Sequence, residues 1–162
     1  MKSTSTSPNP LKVILVAGLV AGTLDIIAAC TQAYLKRGVV PDRVLQYIAS
    51  AVFGKDAYSG GMAMSAWGLF FHYLIAFGLA AFFVFLYLRW PLISKNIVVT
   101  GLLYGIFAWV VTTRFIIPVF STLKPSPFVL RNAIEAMVIL MLFIGLPIAL
   151  ITKKYYPRPA KA

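Results

Sequence analysis

The sequence predicts an all-α membrane protein: a bundle of four transmembrane helices with a short amphipathic interfacial helix in its first loop. Three observations carry this. Hydrophobic residues make up 60% of the 162-residue chain, and the mean hydropathy of +0.88 lies outside the range of soluble domains. Only 12% of residues are charged, too few to cover a water-facing surface. Four apolar runs each reach the roughly 20 residues that cross about 30 Å of hydrocarbon. In lipid every backbone N–H and C=O has to be satisfied within the segment, so runs of this kind are helices.

The elements follow in order. Residues 1–10 (MKSTSTSPNP) carry Ser, Thr and Pro with one lysine and too little apolar surface to order themselves, which predicts a disordered tail. The first span covers about residues 11–34, interrupted only by Asp25 and Gln32. The long first loop has content of its own over about 41–53. There Arg43, Gln46, Tyr47 and Ser50 share one helical stripe, Val44, Leu45, Ile48 and Val52 share another, and Gly54 is placed to cap the end. This segment is too short to span and is expected at the interface or as a cap on the bundle. The second span, about 61–88, stops at Arg89-Trp90-Pro91, and the third covers about 96–120. Ser126-Pro127 combines a capping hydroxyl with proline at the first helical position and opens the fourth span, about 128–152. That span closes on Lys153-Lys154 and a basic tail, 155–162, and Gly145-Leu146-Pro147 predicts a kink within it.

Fifteen Lys and Arg against four Asp and Glu give a net charge of +11. Nucleic-acid binding requires basic residues gathered on one folded face. Here they stand at the edges of apolar runs, where they meet lipid headgroups and set topology. The expected partner is therefore the lipid bilayer and not nucleic acid; further partners would be a second copy of the chain or a larger membrane complex. Lys2, Lys12, Arg89, Lys95, Lys153, Lys154, Arg158 and Lys161 are the eight basic residues of one side, against six (Lys36, Arg37, Arg43, Lys55, Lys124, Arg131) on the other. The excess predicts both termini on the cytoplasmic side.

The single cysteine, Cys30, excludes a disulfide or a thiolate metal cluster within one chain. Ile27-Ala28-Ala29-Cys30 has the form of a lipoprotein cleavage box. Cleavage is not expected, because Asp25 would fall within the apolar region of such a signal.

Each span carries one ionisable group that is a candidate for an intramembrane polar site: Asp25, His72, Arg114 and Glu135. Charges inside a bilayer are costly, about 2.5–3.5 kcal/mol on insertion scales, and so mark functional positions. Counted from the span ends at 1.5 Å per residue, all four lie roughly 9 to 17 Å below one face and could meet in a layer. Helical phase distinguishes them. Gly18, Gly22, Asp25 and Ala29 form a stripe of small residues on the first span, and Ser65, Gly68, His72 and Ala76 do the same on the second. Small residues let membrane helices approach closely, so Asp25 and His72 are the expected pair, either as a clamp between two helices or as a functional site. Arg114 projects away from the third span's small stripe (Gly101, Gly105, Ala108, Thr112) and can snorkel to the interface. Glu135 follows Arg131 by four residues, the spacing of a same-helix ion pair. Gly18-x-x-x-Gly22 and Gly101-x-x-x-Gly105 read as packing faces, or as a faint duplication.

A lone histidine excludes bis-histidine haem ligation, and no zinc site, phosphate loop or nucleophile–base motif is present, so no catalytic residue, metal or cofactor is assigned. Three functional readings follow. The first is a non-enzymatic accessory or assembly component, the second a small oligomeric permeation or proton-coupled transport protein using Asp25 and His72, and the third an intramembrane enzyme with His72 as acid or base.

The run Pro41 to Gly61 (PDRVLQYIASAVFGKDAYSGG), followed by Gly68-Leu69-Phe70-Phe71-His72, resembles a widespread group of small four-span bacterial inner-membrane proteins of unknown function. The glycine-bearing segments Gly101–Gly105 and Gly145–Ala149 fit the same pattern, and the resemblance extends from Gly18 to about Lys154. It implies a bacterial inner membrane and no particular activity. Members often carry a histidine early in the last helix, where this chain has Glu135, a departure that argues against a two-histidine site here.

Overall fold

The computed structural model describes residues 8–116 and 129–157. Every element among them is helical. Helix α1 spans Pro10–Arg37, α2 Pro41–Phe53 and α3 Gly61–Arg89. Helix α4 spans Ile97–Ile116 and α5 Leu130–Tyr155. Four of the five, all but α2, are long and apolar enough to cross a membrane, so the chain is an all-α, multi-pass membrane protein. The N-terminal tail is described only from Pro8, and the last residue of its expected range, Pro10, already opens α1 with Asn9 as its cap. The Asn9 side chain accepts the Leu11 N–H at 2.9 Å, and Pro10 takes the first position, where no N–H is needed. Gly38, at φ 64°, turns the chain out of α1 in the left-handed conformation that glycine adopts without strain. The Ser126-Pro127 helix start and the rest of that loop lie outside the described residues.

The outward faces are oily. Leu15, Leu19, Ile27, Leu74, Phe85 and Leu103 are exposed, as expected of helices whose solvent is acyl chain. Association then rests on close backbone approach, and the glycines supply it. On α4 and α5, a Cβ at Gly105 would overlap the Met141 backbone, and one at Gly145 would overlap the Gly101 carbonyl and the Gly105 backbone. At Gly101 it would stand 3.0 Å from Ala149 Cβ. Gly18 and Gly22 receive Phe77, Tyr73 and Ala76 of α3. Gly68 faces a different neighbour, the Leu45 carbonyl of α2. The small stripe of α3 is thus divided: Ser65 and Gly68 against α2, His72 and Ala76 against α1.

Proline distorts α5 as its chemistry requires, in the form of a π-turn. Pro147 has no N–H and its ring presses on the carbonyl four residues back, Phe143. The strain is taken up over Met141–Gly145, where the helix widens and Leu146 N–H donates to Met141 O, five residues back. A second π-turn, Thr112–Ile116, ends α4.

The amphipathic helix α2 lies against α3 with two residues of its polar stripe, Gln46 and Ser50, turned inward. Gln46 and Ser50 are buried, while Tyr47 and Val52 are exposed. The reason is local hydrogen bonding. Gln46 donates to the Gly61 carbonyl at 3.3 Å, and Arg43 donates to the Tyr58 carbonyl at 3.0 Å and to Gln46 Oε1 at 3.2 Å. Two of these acceptors, the Tyr58 and Gly61 carbonyls, are main-chain groups at the turn into α3, so the bonds tie α2 to that turn.

Packing is uneven along the bundle. The tight core is built from the N-terminal half of α1 (Ala17, Ala21), the C-terminal half of α3 (Leu79, Phe83, Tyr87), the start of α4 (Ile97, Tyr104) and the end of α5 (Ile148, Ala149). It lies at the end of the bundle where both termini and the α3–α4 turn meet. Tyr87 donates to the Tyr156 carbonyl at 2.9 Å and Tyr156 to the Pro8 carbonyl at 2.8 Å, stitching that end closed. The other half is looser. α1 packs on α3 and α5, and α4 on α5, but α3 and α4 have no close backbone approach. They meet through rings: Phe82 over Phe107 with centroids 5.5 Å apart, and Phe83 against Tyr104 at 4.8 Å.

Candidate functional site

In the loose half the helices surround a cavity of about 360 Å³. α1 contributes Asp25 and Ala29, α3 His72 and Ile75, and α4 and α5 contribute Thr112 and Ile144. α2 supplies one wall through Tyr47, Ile48 and Ser50. The floor is the start of the tight core. Leu79 lines the cavity, and its carbonyl accepts the Tyr104 O–H at 2.6 Å from the far side. The lining is overwhelmingly hydrocarbon. Asp25 and His72 are its ionisable groups apart from the Tyr47 phenol.

Their arrangement follows from the small stripes. Gly22 lets α3 approach α1 closely enough for His72 Nε2 to lie 2.8 Å from the Gly22 carbonyl oxygen. A carbonyl can only accept, so Nε2 carries the hydrogen and donates it. Asp25 is three residues further along α1, nearly one turn, and its carboxylate is within electrostatic reach of the imidazole. Beside this pair, Thr23 and Tyr73 share a 2.8 Å hydrogen bond that joins the same two helices. Asp25 is half-buried, and no lysine or arginine lines the cavity among the described residues.

Of the four ionisable groups the sequence singles out, the structure brings these two together and sends the others elsewhere. Glu135 sits on the α1–α5 seam, where it accepts from Gln32 at 3.1 Å and pairs with Lys36 of α1 and, at 3.1 Å, with Arg131 of its own helix. The i,i+4 pair with Arg131 is visible in the sequence; the cross-helix partners are not. Arg114 is exposed in the terminal π-turn of α4 and does not line the cavity. A single layer of four charges therefore does not form, because equal depth does not bring groups on different helix faces together. Sequence reasoning missed Tyr47, Ser50 and Thr112 as cavity residues. Tyr47 and Ser50 belong to the polar stripe that the sequence shows on α2, but periodicity does not say which way that stripe faces.

A second, shallower crevice runs between α3 and α4. It is lined by Gly78, Phe82, Phe107 and Val111 and shares Ile75, Leu79 and Ile116 with the main cavity. Phe82 and Phe107 are partly exposed on the lipid-facing side. The gap exists because no small-residue pair draws α3 and α4 together, and Gly78 has nothing within 4 Å of the place its Cβ would take.

Fold and cavity together define a four-span helical membrane protein with a half-open, largely apolar chamber inside the bundle. No family model, curated protein or solved structure matches the chain.

Proposed function

We propose that this chain is a non-enzymatic protein of a bacterial inner membrane, both termini cytoplasmic, that receives a small lipophilic molecule into the chamber beside Asp25 and His72. The observation that carries this is the chamber itself. Its volume falls in the range of small-molecule sites, it is apolar apart from a few convergent polar groups, and it adjoins a crevice between α3 and α4 through which a membrane-dissolved molecule can enter. The basic excess at one set of span ends supports the orientation. A continuous pore within one chain is disfavoured by the ring-filled core of Phe83, Tyr87 and Tyr104 beneath the chamber. A role as an accessory component of a larger assembly is compatible with the same chamber, which would then be where the assembly's small molecule is held.

The test is photolabelling in phosphatidylcholine nanodiscs with a neutral alkyl diazirine, followed by peptide mapping. Adducts are expected on Ile48, Ile75 and Leu79, and Ala51→Phe, which fills the α2 wall, should remove them. Adducts confined to lipid-facing positions such as Leu24 and Phe85, unchanged by Ala51→Phe, would defeat the reading.

A further inference from the structure

We infer that the molecule taken up is a lipophilic cation, an amine bearing an apolar body, and that it binds in exchange for a proton at Asp25. The inference rests on the chamber being a small-molecule site and adds the chemical class of its occupant.

Charge complementarity inside the chamber carries the argument. A carboxylate accepts hydrogen bonds and cannot donate them. His72 stands beside Asp25 with its Nε2–H committed to the Gly22 carbonyl at 2.8 Å, and as a neutral ring it brings no positive charge to offset the carboxylate. With His72 neutral and Asp25 ionised, the wall of an otherwise hydrocarbon space carries one uncompensated negative charge. The remaining elements do not cancel it. α2 presents the Tyr47 phenol and the Ser50 hydroxyl, which itself donates to the Tyr47 carbonyl at 2.6 Å; α4 presents the Thr112 hydroxyl; α5 presents Leu140 and Ile144. The nearest acid on α5, Glu135, is held by Lys36, Arg131 and Gln32 on the seam. An isolated carboxylate in apolar surroundings is costly and is relieved by a proton or by an ammonium group. An ammonium with a hydrocarbon body satisfies both the carboxylate and the lining, whereas an anionic amphiphile would set a second negative charge beside Asp25.

The exchange balances. The empty chamber holds Asp25 as the neutral acid; an arriving ammonium displaces that proton, which leaves to water, and the carboxylate and ammonium remain as an ion pair. Lowering the pH reverses it by returning the proton to Asp25.

Three alkyl diazirine probes of equal length, ending in a tertiary amine, the isosteric neutral carbon group and a carboxylate, decide the matter in phosphatidylcholine nanodiscs. At neutral pH chamber labelling by the amine should exceed that by the neutral probe by about tenfold, and the carboxylate should label least. The ratio of amine to neutral labelling should fall toward unity on acidification, and Asp25→Asn should bring it to about one at every pH. Equal labelling of the unaltered chamber by amine and neutral probes overturns the amine inference and leaves the chamber standing as an apolar site. Preference for the carboxylate also overturns it. Absence of chamber labelling by all three removes the underlying reading instead. Because the three-probe comparison is made on the unaltered protein, it holds even should Asp25→Asn fail to fold.

Discussion

His72 and Gly22, fifty residues apart in sequence, are joined by a 2.8 Å hydrogen bond from the imidazole Nε2–H to a main-chain carbonyl in the middle of a neighbouring helix. The bond ties α3 to α1 at the edge of the chamber and fixes which ring nitrogen carries the hydrogen of the neutral imidazole.

Replacing His72 by Phe keeps a ring of similar bulk and removes this bond. Interhelical hydrogen bonds in membranes average about 0.6 kcal/mol, so a loss of about that size is expected in reversible unfolding from mixed micelles. In the unaltered protein, 15N NMR of the neutral imidazole should show the proton on Nε2. A spectrum dominated by the Nδ1–H tautomer would contradict the geometry.

Gly105→Val places a branched side chain against the Met141 backbone, which cannot yield as a flexible side chain does. Overpacking of this kind costs about 1–3 kcal/mol. The expected result is a clear fall in thermal stability with α4 and α5 driven apart. A disulfide-trapping distance across that pair unchanged from the parent would show the contact to be looser than described.

Gly78→Leu is the contrasting substitution, since a Cβ there meets nothing within 4 Å. The side chain should lie in the crevice between Phe82 and Phe107. Stability should hold, because no contact is lost, while the rate of chamber photolabelling drops several-fold. Labelling at the parent rate would mean that molecules reach the chamber by another route.

Glu135→Gln breaks the ion pairs to Lys36 and Arg131 and leaves a neutral group that can still bond Gln32. Arg131 is 83% exposed and the Lys36 side chain 37%, so solvent screens both. The expected stability change is below about 1 kcal/mol, and it should shrink further in high salt. A loss of several kcal/mol would show that the α1–α5 seam depends on this cluster far more than its exposure implies.

At the closed end, Tyr156 donates to the Pro8 carbonyl, and desolvation raises its phenol above the ordinary tyrosine value of 10.0. A raised value in the folded state means that the contact is fully present below pH 10 and is lost as the pH climbs through the shifted value. Proteolytic cleavage near Pro8 should accelerate in that alkaline window and be independent of pH below it. Tyr156→Phe should show the fast rate at all pH values.

Much of the fold is legible from composition and hydropathy. Where the spans lie, that they are helices, and that α2 is a separate amphipathic segment all follow from hydrocarbon thickness and backbone hydrogen bonding, which act on any sequence in the same way. The small stripes are also readable, and with them the likelihood of contact at Gly22, Gly68, Gly101 and Gly105. What periodicity does not contain is the partner of each stripe. Gly68 and His72 share one face of α3 by count, yet one meets α2 and the other α1, because the crossing of α2 occupies the upper part of that face. The cross-helix hold of Lys36 and Gln32 on Glu135 is likewise absent from any local pattern.

Membrane residence and helicity are properties of segments taken one at a time, since lipid judges each run on its own apolar length. The chamber is a property of spacing between segments. It exists because glycines draw α1 to α3 and α4 to α5, while nothing comparable draws α3 to α4, and the space left over happens to contain one carboxylate and one imidazole. Distances between non-neighbouring helices arise from that competition of contacts, and a linear pattern of residues does not record its outcome.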